Sequence, residues 1–303
     1  MGKKIKVIAI VGPTGVGKTS ISLRLAKKFN GEIISADSMQ IYSHMNIGTA
    51  KITESEKCGI THHLLDIVSP TDNFSVAEWK NLAEEKIKQI VRNNRMPFIV
   101  GGTGLYVNAL MNNFQFFHTD STKETRAKYE KILQENGAHA LYSLLKEKDA
   151  EFAESVDPKK TRAIIRYLEI LESGNVDLKQ KDNSSEFDCL LIGLNIERSE
   201  LYKNINQRVD IMIDEGLENE ITALIKNHGL QENMQSALAI GYREFWEYFK
   251  GNQTIDKTIE LIKQHSRNYA KRQLTYMKKM NGIEWFDPRD YESIKQRILE
   301  FIK

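Results

Sequence analysis

The sequence predicts an α/β fold: a P-loop-type parallel sheet flanked by helices, interrupted by an all-helical insertion. Three observations predict it. An apolar run, Ile5–Val11, leads into Gly12-Pro13-Thr14-Gly15-Val16-Gly17-Lys18-Thr19, which fits G-x-x-x-x-G-K-[ST], and residues 20–29 then show helical apolar spacing. Further apolar runs at residues 31–35, 97–100 and 189–194 alternate with helical patterns, as strands covered on both faces do. From about Phe116 to Glu186 the strand signal stops and charged, helical sequence takes over. The expected division is therefore 1–115 with 187–303 as the core and 116–186 as the insertion.

The phosphate loop comes first. Glycines let the backbone turn its N–H groups inward, and the following helix N-terminus adds positive potential. Lys18 supplies a point charge for phosphate oxygens, and Thr19 a hydroxyl for Mg2+. The strand at 31–35 ends in Ala36-Asp37-Ser38-Met39-Gln40-Ile41-Tyr42. Ligands of open α/β sheets sit beyond the carboxyl ends of the strands, so Asp37 is expected beside the loop. There it could coordinate Mg2+, act as a general base, or serve as a helix N-cap. Met39, Gln40 and Tyr42 offer a soft contact, an amide and a ring to a nucleobase.

Residues 62–67 read as a short strand. Its adjacent His62 and His63 would point to opposite faces, which favours a structural over a metal-binding role. Residues 75–92 read as an amphipathic helix opened by a Ser75-x-x-Glu78 capping box. The strand at 97–100 runs into Gly101-Gly102-Thr103-Gly104-Leu105-Tyr106, a second glycine-rich exit expected near the first, with a hydroxyl at Thr103.

The insertion reads as helices at 123–136, 138–146, 149–156 and 158–172, the last ended by residues 173–175, with a polar linker at 179–186. Lys159, Lys160, Arg162 and Arg166 form a basic run assigned to one helix. Beyond the strand at 189–194, residues 198–215 form a helix stopped by Gly216, with Arg208 at its middle. Residues 238–244 are expected to open another helix. No acidic residue occurs between Glu260 and Glu284. Within that span Lys263, Arg267 and Lys271 step by four and share a helical face, Arg272, Lys278 and Lys279 extend it, and Tyr269 and Tyr276 lie among them. That combination is a local nucleic-acid footprint.

Composition bounds the class. With 303 residues and 41% hydrophobic content the chain can bury a substantial core. A net charge of +2 makes any nucleic-acid surface local rather than global. The two cysteines, Cys58 and Cys189, lack metal-type spacing, and no apolar run approaches the roughly 20 residues of a membrane span. Met1-Gly2-Lys3-Lys4 leads directly into the first strand, so no signal peptide is expected. A cytoplasmic protein is expected.

An ATP-binding small-molecule kinase would use the loop and Asp37. A GTPase is disfavoured, because the chain lacks an Asn-Lys-x-Asp motif. A transferase that expels diphosphate and acts on a nucleic-acid base also explains the second Gly-Thr exit and the basic, aromatic stretch.

The phosphate loop, Asp37-Ser38-Met39-Gln40-Ile41-Tyr42, Gly101-Gly102-Thr103-Gly104-Leu105-Tyr106, Gly241-Tyr242 and Tyr269-Ala270-Lys271-Arg272-Gln273-Leu274-Thr275 together resemble the tRNA dimethylallyltransferase family, bacterial type, in order and over nearly the whole chain. The resemblance implies a P-loop NTPase-like core and transfer of a dimethylallyl group from dimethylallyl diphosphate to N6 of the adenosine 3′ of the anticodon. It places the diphosphate in Gly12, Pro13, Thr14, Gly15, Val16, Gly17, Lys18 and Thr19, with Mg2+ on Thr19. It makes Asp37 the general base and Thr103 a positioning group. It makes Arg208, in its Arg-x-x-x-Met-x-x-x-Gly setting, a diphosphate ligand. For the tRNA anticodon stem-loop it implies Asp37, Ser38, Met39, Gln40, Arg162, Arg166, Gly241, Tyr242, Arg243, Lys271, Arg272, Gln273, Tyr276 and Lys278, with the insertion as part of the grip. A monomer with no membrane partner is expected. Two positions depart from the family pattern: Ala163 follows Arg162 where an Arg pair is usual, and Tyr276 replaces a frequent Trp, which keeps a stacking ring.

Overall fold

The structure is a computed structural model and describes residues 4–114, 116, 123–172 and 185–303. The expected helix end at 173–175 and residues 179–184 of the expected linker at 179–186 lie outside the described residues. The chain divides into two compact units, residues 1–114 with 184–303, and residues 115–183.

The larger unit is built on one parallel six-stranded sheet. Its strands are β1 (Ile5–Val11), β2 (Gly31–Ser35), β3 (His62–His63), β4 (Met96–Gly101), β5 (Phe187–Leu194) and β6 (Ile283–Phe286), in the order β3-β2-β4-β1-β5-β6. Helices cover both faces, so β1 is apolar on both. Val7, Ala9 and Val11 enter one buried cluster, and Ile8 and Ile10 the other. Each Val or Ile among them contributes roughly 1.5–3 kcal/mol by leaving water.

Register decides where the ligand goes. Val11 pairs with Gly101 and Ser35 with Val100. The exits after β1, β2 and β4 therefore open side by side, beyond the carboxyl edge of the sheet. Helix α1 (Lys18–Lys28) follows the first exit, α2 (Val76–Arg92) precedes β4, and α3 (Gly104–Met111) follows it. The α2 capping box forms, with the Ser75 hydroxyl accepting from the Glu78 N–H and the Glu78 carboxylate accepting from the Ser75 N–H. Trp79 of α2 is fully buried, stacks on Tyr106 at 4.7 Å and donates its indole N–H to the Ser35 carbonyl at 2.9 Å, anchoring the end of β2.

After β5 come α7 (Arg198–Asp214), α8 (Leu217–His228), a short 3-10 turn (Ser236–Leu238), α9 (Phe245–Phe249), α10 (Ile255–Met277) and, past β6, α11 (Tyr291–Ile302). The smaller unit holds α4 (Lys123–Lys148), α5 (Ala150–Ser155) and α6 (Thr161–Glu172) around Tyr129, Leu141, Leu145, Ile164 and Leu168. Gly137, at φ 78 and ψ 176, breaks α4 between the two helices read in the sequence.

Three expectations need correction. The strand at 62–67 stops at His63, because Leu64 and Asp66 take positive φ (62 and 55), which a strand cannot carry. The helix expected from 158 begins at Thr161, so Lys159 and Lys160 precede it. Residues 239–244 form turns, with Gly241 at φ 98, and the helix opens only at Phe245. The His63 imidazole lies 2.6 Å from the Glu32 carboxylate.

Candidate active site

A cleft of about 580 Å³ lies over the three strand exits. Its floor is the phosphate loop. Gly15 and Gly17 take φ 78 and 96, a left-handed backbone that side-chain-bearing residues avoid, and so turn the loop into the start of α1. Lys18 folds back, its ammonium donating to the carbonyls of Gly12 (3.0 Å) and Pro13 (2.8 Å). Burial lowers its pKa from 10.5 to about 8; the Asp37 charge works against this and Arg208 adds to it. Val16 is 2% exposed, so its side chain is core and only its backbone can serve a ligand. The Thr19 hydroxyl lines the cleft and hydrogen-bonds no other group among the described residues, so it is available to a cation.

The Asp37 turn forms the next wall. Its Oδ1 accepts from the N–H of Met39 (2.9 Å) and Gln40 (3.4 Å), capping the turn, while Oδ2 accepts no hydrogen bond among the described residues. Turn-capping and availability for chemistry thus coexist in one carboxylate. Thr103 precedes α3 at its N-cap position without a side-chain capping bond, and stands behind the wall rather than on it. Its hydroxyl accepts from the Ser38 N–H at 3.1 Å, and its own N–H reaches the Ala36 carbonyl at 3.0 Å. Thr103 fixes the strand exit that presents Asp37.

Two helices close the site. From α7, Arg208 donates to the Thr14 hydroxyl (3.3 Å) and the Ala50 carbonyl (3.5 Å), and Asn204 donates to the Gly15 carbonyl (3.2 Å). Burial lowers the Arg208 pKa, with Asp37 opposing. From α10, the Gln273 Oε1 accepts from the Thr14 N–H and its Nε2 donates to the Gly102 carbonyl, both at 3.0 Å. Tyr269 lines the cleft beside it. Burial, then the Asp37 charge, raise its pKa to about 12, against hydrogen bonds with Thr103 and Gln273.

The remaining wall is apolar, formed by Val209, Met212, Leu238, Ala239, Ile240 and Ile262. Sequence reasoning missed it. Met212 sits one helical turn beyond Arg208, but nothing local marks the rest as facing the same space. An enclosure with cations at one end and hydrocarbon at the other suits an amphiphile with an anionic head.

Ser38, Met39, Gln40, Gly241, Arg243, Arg272 and Gln273 line the cleft as well. The Gln40 amide is anchored on the carbonyls of Thr49 (3.2 Å) and Ala50 (3.4 Å). Gly241 and Arg243 are held by Glu244, which accepts from the Gly241 N–H (2.8 Å) and the Arg243 Nε (2.7 Å). Beside the cleft, Lys271, Arg272 and Tyr276 line an open depression with Asn268, Thr275 and Lys279. Arg272 borders both hollows. Lys278 is exposed and borders neither.

Three assignments are corrected here. Tyr42 and Tyr242 are fully buried, so neither ring can meet a base; Tyr242 instead donates to the Glu220 carboxylate at 2.7 Å. Gln273 is buried and its amide is spent at both ends, so it holds the site rather than gripping an external ligand. The basic face of α10 is divided. Lys263 pairs with Asp210 at 2.7 Å and Arg267 donates to Asn206 at 2.6 Å, both against α7, which leaves Lys271 and Arg272 for the outside. In the smaller unit Arg162 is exposed, and Arg166 pairs with the buried Glu169 at 3.2 Å.

Comparison with known proteins bears on this arrangement. The sequence model of the IPP transferase family matches residues 40–280. A tRNA dimethylallyltransferase of Bacillus licheniformis is 43% identical over 306 residues, covering 99% of this chain and 97% of its own, and that of Clostridioides difficile is 43% identical over 310 residues, covering 99% and 98%. Among solved structures, a full-length tRNA isopentenylpyrophosphate transferase from Bacillus halodurans is 42% identical, covers 99% of this chain and 96% of its own, and superposes with a TM-score of 0.74. A eukaryotic dimethylallyltransferase, described as acting on tRNA, is 30% identical, covers 95% and 75%, and superposes at 0.82. A match this long, over a parallel sheet whose carboxyl edge carries the phosphate loop, shows that the chain belongs to the IPP transferase family.

Proposed function

We propose that the protein transfers a dimethylallyl group from dimethylallyl diphosphate to N6 of the adenosine 3′-adjacent to the anticodon of tRNA, releasing diphosphate. One observation carries the reading: a single cleft joins a phosphate loop, a carboxylate and an apolar wall, and Arg272 links it to an unpaired basic, aromatic depression.

The diphosphate head enters the loop, where the Lys18 ammonium exchanges the Gly12 and Pro13 carbonyls for phosphate oxygens and Arg208 lies across Thr14. The Thr19 hydroxyl suits a hard cation, which leaves Oδ2 of Asp37 for the proton. Mg2+ held there would neutralise charge on the departing diphosphate. The dimethylallyl chain lies along Val209, Met212 and Ile240. Lys271, Arg272 and Tyr276 bind the anticodon loop by phosphate contact and stacking, with Arg162 and Arg166 of residues 116–186 as a further grip. The target base leaves its stack to reach the cleft, which costs a few kcal/mol. The N6 lone pair attacks C1 of the allyl group, the N6–C1 bond forms and the C1–O bond breaks. Asp37 takes the N6 proton. Electrons leave with the diphosphate, whose charge Lys18 and Arg208 stabilise.

No helix among the described residues is long and apolar enough to cross a membrane. The reading includes a monomer working in the cytoplasm. Incubation with radiolabelled dimethylallyl diphosphate, Mg2+ and unmodified tRNA, with AMP and ATP as parallel acceptors, tests it. Label in tRNA alone is expected. Label in AMP or ATP moves the chain to free-nucleotide prenylation, and ATP consumption without prenyl transfer returns it to a kinase.

A further inference from the structure

Glu220, on α8, lies outside the cleft and was singled out by nothing in the sequence. Its carboxylate receives four donors. Oε2 accepts from the N–H groups of Asn46 and Ile47, both at 2.8 Å, and Oε1 accepts from the Gly48 N–H at 3.2 Å and the Tyr242 hydroxyl at 2.7 Å. Three consecutive backbone N–H groups converging on one anion form a nest, and each bond is charge-assisted. Tyr242 packs so closely that a Cβ on Gly48 would sit 2.4 Å from its ring. The clamp holds residues 46–48 at a fixed place against α8.

The next two residues carry the consequence. The Thr49 and Ala50 carbonyls receive the Gln40 amide, and the Ala50 carbonyl also receives Arg208, whose other nitrogen reaches the Thr14 hydroxyl of the phosphate loop. A chain of contacts therefore runs from Glu220 through the backbone of 46–50 to two side chains on the cleft wall. Lys51, which donates to the Tyr42 carbonyl at 2.7 Å and pairs with Asp66 at 2.5 Å, ties down the far end of the same segment.

We propose that Glu220 is a positioning residue: by clamping the backbone of residues 46–48 it sets the Ala50 carbonyl against which Arg208 is aimed at the diphosphate. The proposal rests on the reading of the cleft as the site for dimethylallyl diphosphate and the adenine.

Glu220→Gln tests it in the full chain. The amide keeps the shape but loses the charge and sets an NH2 group against backbone donors. With Mg2+ and inorganic diphosphate as the calorimetric probe, binding is expected to weaken about tenfold, and the KM for dimethylallyl diphosphate to rise alongside, while tRNA affinity moves less than about twofold. Glu220→Asp recovers part of the loss. In an Arg208→Lys background, Glu220→Gln adds less than about twofold, because the shared route is already cut. Unchanged diphosphate binding in Glu220→Gln, or the same loss in both backgrounds, overturns the proposal. If Glu220→Gln does not fold, Tyr242→Phe, which removes one donor of the four, is read by the same criteria with a smaller shift. A wild-type protein that neither binds diphosphate nor labels tRNA sinks the functional reading; one that does both while the variants stay silent sinks only the role of Glu220.

Discussion

Lys18 and Arg208 inside the cleft, and Lys271 and Arg272 on the outer face of α10, share one property: none has a carboxylate within 4.0 Å among the described residues. Elsewhere the protein pairs its cations readily, as Lys263 with Asp210 and Lys51 with Asp66 show. The two unpaired sets differ in surroundings. The inner set has left water, and burial lowers both pKa values. The outer set faces solvent, where salt screens it within about 8–10 Å. A buried cation left unpaired marks a place for an anion that will be equally shielded from water, and an exposed one marks a place for a polyanion bound by many weak contacts. On the proposed reading the difference separates the chemistry of this protein from its docking, and five measurements can break or sharpen that separation.

The largest effect is expected from Asp37→Ala. Transfer should fall by roughly 10²–10⁴-fold, the usual contribution of a general base, while tRNA affinity changes little. Loss of tRNA binding with transfer intact at saturation would place Asp37 in docking. Next is Lys18→Ala, which should weaken diphosphate binding on the order of tenfold to a hundredfold and leave tRNA binding alone. The wild-type protein should show a matching pH dependence. The Lys18 pKa is lowered to about 8, so the amine is charged below that pH and neutral above it. An anion favours the charged form, so diphosphate affinity should be full below pH 8, fall as the pH rises through it, and be accompanied by proton uptake in calorimetry at pH 8.5. A flat profile up to pH 10 would mean that Lys18 keeps its proton without ligand.

A third, smaller effect concerns the outer set. Lys271→Gln with Arg272→Gln should weaken tRNA binding uniformly and reduce the slope of log affinity against log salt by about 1–2. An unaltered slope would remove this face from the interface. Lys263→Gln is the control and the smallest effect. Its charge is already met by Asp210 and Glu260, so the salt slope should stay put and stability should fall by less than about 1 kcal/mol in urea unfolding. A salt slope that responds to Lys263 as strongly as to Lys271 would erase the distinction between the two halves of α10.

That distinction shows what the sequence carries and what it withholds. Helical periodicity correctly places Lys263, Arg267 and Lys271 on one face of α10, but it says nothing of which neighbour that face meets along its length. Only packing shows that α7 takes the first two. The strands β1, β2, β4 and β5 were legible because both sides are covered, so each reads as an unbroken apolar run. The two-residue β3 and the half-exposed β6 lack that signature, and β6 went unread, as did α8 and α11. Lys18 and Thr103 stood out because glycine-rich stretches follow apolar runs, and Asp37 because it ends such a run at the edge where ligands of open sheets sit. Glu220 was not, because a lone Glu on a polar helix looks like a solvated one until the fold brings residues 46–48 to it. Tyr242 misled for the opposite reason: it adjoins cleft-lining Gly241 and Arg243, yet its own side chain turns into the core.

The Gln273 amide has a bearing on modularity. The phosphate loop is contiguous in sequence, eight residues that could be lifted out as a cassette, yet its Thr14 N–H is occupied by a side chain 259 positions away. The same amide reaches Gly102 at the second exit. Strand, loop and helix α1 are therefore not a portable device here. A fragment ending before α10 would keep every letter of the motif and lose the brace that joins its two exits, and the brace is one helical step from the cations that face outward.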